Sequence, residues 1–163
     1  MYILALDLSL NSTGYAILKL DDERAPTVIK KGIIKAKAKE THHIKLNRHH
    51  RVLSAIKEEY ADRDLVVVKE QLLFSPPRTA AILAKVHGVV DMRFPKVHEH
   101  YPSTVKKQVT GDGHAKKQEV ADGVYKMLGI TDKKELPFRT DDESDAVAVG
   151  LTHISLHHPY IIE

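Results

Sequence analysis

Cysteine is absent from the 163 residues. Disulfides and thiolate zinc sites are therefore excluded, and a reducing compartment suits the chain. No apolar run approaches the roughly 18 residues that a membrane helix needs, and the opening residues carry no signal-peptide pattern. The expectation is a cytoplasmic protein without membrane attachment. Repeats and low-complexity stretches are also missing. Charge of one sign is in small excess only: the formal net charge is +3 and the pI is about 9.0. Where the basic residues lie therefore matters more than how many there are. What is present suffices for folding. With 42% apolar and 29% charged residues, the chain reads as one domain over 1–163 with a sizeable core.

Residues 2–8, YILALDL, predict a central strand. NSTG at 11–14 is turn chemistry, and YAILKL at 15–20 and TVIKKGIIKA at 27–36 predict two further strands in a meander. Ile44, Val52, Ile56 and Tyr60 predict an amphipathic helix over 41–60. LVVVKE at 65–70 is a buried strand ending in a carboxylate, and 97–101 is a short strand. Helices are expected over 78–92, from Pro102 onward, over 115–128 and over 141–157. The order implies an α/β fold: a mixed five-stranded sheet flanked by helices on both faces.

Asp7 interrupts the first strand, with six apolar residues before it. A lone buried carboxylate costs several kcal/mol unless something pairs with it. Glu70 ends the second buried strand, and Asp142 and Asp145 share a face at the start of the last helix. If the strands of Asp7 and Glu70 are neighbours, all four acids can meet. Within about 6 Å of one another, each pair would repel by roughly 3 kcal/mol at an effective dielectric near 20. Such a quartet requires protons or cations, and all-oxygen ligands select Mg²⁺ or Mn²⁺. Two such ions suit hydrolysis of a phosphodiester. The local alternatives are plainer. Thr140 and Glu143 fit a capping box, with Asp142 merely complementing the helix end, and Glu70 alone could be a surface residue.

In STVKKQVTGDGHAKKQEV, residues 103–120, Lys106–Lys107 and Lys116–Lys117 flank a glycine turn. Lysines on both rims of a turn can grip phosphates; the plain reading is a solvated turn. The eleven histidines include His98 and His100 on one strand face and His153 and His157 on one helix face. With no carboxylate at a recognised spacing, they read as solvated or internally satisfied rather than as zinc ligands.

Five stretches, LALDLSLNSTGYAIL, VVVKEQLLF, AAILAKVHGVV, VKKQVTGDGHAKKQEV and DDESDAVAVGLTH, together resemble the RuvC family of Holliday-junction resolvases, within the RNase H-like superfamily. They stand in family order and span nearly the whole chain. The resemblance implies an RNase H-like fold and a metal-dependent endonuclease that nicks four-way DNA junctions. It implies Mg²⁺ held by Asp7, Glu70, Asp142 and Asp145, with Lys106 and Lys117 as catalysis-linked lysines. It further implies a homodimer and junction DNA as partner, with Lys107, Lys116, Leu73, Phe74 and Arg78 as candidate DNA contacts. The family's usual aromatic residue three positions after the strand-end glutamate is replaced by Leu73, followed by Phe74, and Lys69 stands where an apolar residue is usual. These departures fit a divergent member, of a bacterium or a phage.

Three other readings share some of these features. A nucleotide-binding protein of the actin and sugar-kinase class opens similarly but needs two such lobes. A non-catalytic junction binder would keep the lysines without needing the acids. A less selective nuclease for three-way, flap or fork DNA would carry the same site.

Overall fold

The structure, a computed structural model, describes residues 1–21, 25–73 and 76–159. Strands β1 (Tyr2–Asp7), β2 (Ser12–Lys19) and β3 (Thr27–Lys35) form the expected meander. Helix α1 (His42–Glu59), strand β4 (Leu65–Glu70), helix α2 (Pro77–Arg93) and strand β5 (His98–His100) follow. Helices α3 (Pro102–Thr110), α4 (Lys117–Met127) and α5 (Asp141–His157) complete the helices and strands among the described residues. The sheet order is β3-β2-β1-β4-β5. β1 pairs antiparallel with β2 and parallel with β4, and β5 extends the parallel half.

β1 lies at the centre of the sheet. Ile3, Leu4, Ala5 and Leu6 are fully buried because both faces of this strand are covered. Ile3, Ala5, Leu18 and Val68 pack under α3, α4 and α5, against Val109, Val124, Val149 and Leu151. Leu4, Leu6, Ile17 and Val67 face α1 and α2, against Leu53, Ile56, Val86 and Val90. Each such side chain contributes roughly 1.5–3 kcal/mol. β3, the outer antiparallel strand, carries Lys30, Lys31 and Lys35, the charged edge that discourages pairing with another sheet.

The ends follow local chemistry. Thr41 caps α1, its side chain accepting from the Ile44 amide. Pro77 and Pro102 occupy the first turns of α2 and α3. Gly111 closes α3 at φ 88°, a left-handed turn that suits glycine.

Two local expectations are corrected. Ser12, Thr13 and Gly14 belong to β2 rather than to a turn, because each finds a partner in β3, and Gly14 a second in Asp7. The connection is instead residues 8–11, where Thr13 Oγ1 donates to the Ser9 carbonyl at 2.6 Å and accepts the Ser9 amide at 2.9 Å. Nor do Thr140 and Glu143 form a capping box. The Thr140 side chain makes no cap bond, and the buried Glu143 carboxylate turns to Lys31 Nζ at 2.8 Å and the Arg139 amide at 2.9 Å.

Candidate active site

Leu6 and Lys69 pair one step before the two carboxylates, so Asp7 and Glu70 end adjacent parallel strands side by side. Asp7 also faces Gly14 across the antiparallel ladder. The start of α5 lies over this point. A Cβ on Gly14 would collide with the Asp142 carbonyl, so only glycine lets α5 descend this far. Ser12 Oγ then donates to Asp142 Oδ2 at 2.5 Å, and the same turn of helix brings Asp145 to the site. Lys31 donates to Glu143 and, at 2.6 Å, to the Pro137 carbonyl. It thereby ties β3 to the segment that leads into α5.

The electrostatics follow from this placement. Burial pushes the Asp7 carboxyl up to about 8, with Glu70, Asp145 and Asp142 adding repulsion and Lys117 opposing it. Burial and Asp145 push Glu70 up to about 7, against the pull of Lys106. Asp145 rises to about 6, chiefly through burial; Lys117 opposes the rise, while Asp141 and Asp142 add to it. Three half-buried carboxyls whose pKa values are all raised, partly by one another's charge, favour a cation among them. Oxygen-only donors fit a hard divalent cation.

Both expected catalytic lysines border this group. Lys117 Nζ lies 4.0 Å from Asp145 Oδ2 and 3.8 Å from Asp141 Oδ2. Lys106, half-buried on α3, acts on Glu70 and Asp145. Lys107 and Lys116 are exposed beside them, and Lys116 gives its backbone amide to Glu119 at 2.6 Å. Leu73 is 45% exposed just beyond Glu70, and Arg78 is exposed in the first turn of α2. Phe74 lies outside the described residues.

The family model described as "Crossover junction endodeoxyribonuclease RuvC" matches residues 3–153. The chain belongs to the RuvC family. A RuvC of that description from Ehrlichia canis is 35% identical over 157 residues, covering 94% of this chain and 96% of the relative. One from Wolinella succinogenes is 31% identical over 157 residues, covering 94% and 93%. The fold matches that of Thermus thermophilus RuvC in complex with a Holliday junction substrate, with TM-score 0.79, 22% identity and coverage of 94% and 92%. It also matches a Fowlpox virus resolvase bound to Holliday junction DNA, with TM-score 0.62, 20% identity and coverage of 96% and 98%. The sheet and helix arrangement is thus that of RuvC, the expected RNase H-like class.

Sequence reasoning missed several supporting residues. Ser12 was hidden in apparent turn chemistry, and Glu143 in an apparent capping box. Lys31, 112 residues from Glu143, carried no local signal. The unusual Lys69 is almost fully buried on the opposite sheet face. There it pairs with Asp91 at 2.7 Å and Glu99 at 3.1 Å.

Proposed function

We propose that this chain is a structure-selective endodeoxyribonuclease that resolves four-way DNA junctions by paired, Mg²⁺-dependent phosphodiester hydrolysis. The carrying observation is the convergence of Asp7, Glu70 and Asp145, each with a raised pKa, beside Asp142 and two lysines. Membership of a family described as crossover junction endodeoxyribonucleases supports the reading, as do junction-bound relatives of the same fold.

Asp7, Glu70, Asp142 and Asp145 would hold divalent metal, as two Mg²⁺ ions replaceable by Mn²⁺. When bound, the metal supplies an activated water and charge neutralisation at the scissile phosphate. Ser12 fixes the Asp142 carboxylate, and the Lys31–Glu143 pair fixes the start of α5. Lys106 and Lys117 steady the phosphate's developing negative charge. Lys107, Lys116 and Arg78 take backbone phosphates, and Leu73 with Phe74 meets the opened junction.

Residues 1–163 act as one nuclease domain, in the cytoplasm of a bacterial cell or phage-infected host. No helix among the described residues is long and apolar enough to cross a membrane. Two opposed nicks require two sites related by a two-fold axis, hence a homodimer. The outward face of α2 suits that interface: Ala81, Ala84, Gly88 and Met92 are exposed, and nothing lies within 4 Å of a Cβ built on Gly88. Along the small-residue stripe of Ala80, Ala81, Ala84 and Gly88, only Ala80 is half-buried and the other three are exposed, while Val86 and Val90 face the sheet.

The test is incubation with Mg²⁺ and end-labelled four-way, three-way, flap and linear DNA, followed by nick mapping. Symmetric nicks confined to four-way junctions support the proposal. Equal cutting of flaps and forks would favour the less selective branched-DNA nuclease.

A further inference from the structure

The histidines of β5 and α5 gather in one cluster. His98 and His100 come from the edge strand, and His153 and His157 from one face of α5, a full turn apart. All four meet on the sheet face that carries α5. Ring centroids are 4.4 Å apart for His153 and His157, 5.3 Å for His100 and His153, and 4.7 Å for His98 and His153. One ring nitrogen from each of His100, His153 and His157 lies within 4.8 Å of the others.

A histidine with a purely structural role looks different in the same molecule. Buried His49 sits between Thr13 Oγ1 at 2.9 Å, the Lys45 carbonyl at 2.8 Å and the Ser9 carbonyl at 3.1 Å. The four clustered histidines share one side-chain hydrogen bond among the described residues, His100 Nε2 to His153 Nδ1 at 3.1 Å. Two nitrogens bound to one tetrahedral ion at about 2.0–2.1 Å lie about 3.4 Å apart, close to the spacing seen here.

We propose that His100, His153 and His157 form a tri-imidazole site for a borderline divalent cation of the Zn²⁺ class, with His98 flanking the fourth position. Imidazole nitrogens select such ions over Mg²⁺, which the carboxylate group prefers. Burial and the neighbouring histidines lower His153 to about 3, and burial first, then adjacent charge, lowers His98 and His100. The ion fastens a three-residue edge strand to the central helix. His100 is the register partner of Glu70, and α3 with Lys106 begins two residues later. The site thus braces the segment between two residues of the carboxylate centre, while its ligands are separate from that centre.

Co²⁺ is the probe, added to the metal-free full-length protein in a large excess of Mg²⁺. The expected result is one Co²⁺ per chain with the intense visible absorption of a tetrahedral, nitrogen-bound ion, displaced by Zn²⁺. His157 is exposed at the helix end, so His157→Ala should fold, as circular dichroism will show. Changes outside the ligand shell alone cost about 10–100-fold in affinity, so loss of this ligand should cost at least about a hundredfold. Zn²⁺ should raise the Tm of the wild type and not of the variant. X-ray absorption of the Zn²⁺-loaded wild type, which needs no variant, should give an imidazole shell. The proposal is overturned by no Co²⁺ binding above Mg²⁺, by an oxygen-only shell, or by binding that survives His157→Ala and vanishes in Asp7→Asn.

Discussion

Asp7, Glu70 and Asp145 keep their protons to higher pH in the folded chain than in the unfolded one: from 3.8 to about 8, 4.5 to about 7 and 3.8 to about 6. Between those limits the native state binds more protons, so metal-free stability falls as pH rises from about 4 to about 8. The penalty is absent below the unfolded pKa values and complete above the folded ones. Thermal melts in a chelator should show Tm declining across that window. Excess Mg²⁺ should flatten the decline, because the cation takes the place of the protons. Asp7→Asn in chelator should melt higher than the wild type at pH 8, with much of the slope gone; an unchanged slope would mean that Asp7 is not the strained group.

Lys69 allows a second test at this scale. Its ammonium is buried, and its partners Asp91 and Glu99 are partly exposed. Lys69→Met keeps the volume and removes the charge, so it should change stability little. Replacing both Asp91 and Glu99 by alanine removes the acids that pair with it and should cost clearly more stability than Lys69→Met. Denaturant titration of the variants measures the contrast.

Between elements, α5 is the part that matters most, because its first turn must sit on β2. Gly14→Val would drive β2 against the Asp142 carbonyl. It should lower cleavage more than about tenfold, since about 1.4 kcal/mol of lost positioning is a factor of ten, while the fold survives by circular dichroism. On α2, Ala84→Glu should produce folded monomers that bind Mg²⁺ but make no paired nicks. Light scattering checks this, and an unaltered dimer mass would place the interface elsewhere.

Most elements were legible because their signals are local. LVVVKE needed nothing beyond its own β-branched run to read as β4, and both bounds of α5 followed from its acidic start and apolar period. The failures come from long-range contacts. Asn11–Gly14 has turn composition, yet pairing of Ser12, Thr13 and Gly14 with β3, and of Gly14 also with Asp7, draws three of the four residues into β2. Glu143 has capping-box spacing, yet Lys31 across the sheet takes its carboxylate. The histidine spacings on β5 and α5 were each visible, but His100 and His153 are 53 residues apart. Only the packing of the edge strand against α5 joins them.

For the whole molecule, the excess charge of +3 matters through its placement. Lys106 and Lys117 stand beside the carboxylates, and exposed Lys107 and Lys116 adjoin them in the chain, a placement suited to a polyanion. Charge removal at Lys106 or Lys117 should slow single-turnover cleavage of bound DNA. At Lys107 or Lys116 it should instead weaken affinity and reduce the salt slope by about 1. The central claim is that Asp7 anchors a metal-dependent centre that cuts junctions in pairs. Its most direct test is mapping the nicks made by wild type and Asp7→Asn in a four-way junction with Mg²⁺, alongside a binding assay. The account predicts two symmetric nicks by the wild type, and none by Asp7→Asn despite undiminished junction binding. Normal cutting by Asp7→Asn would contradict it.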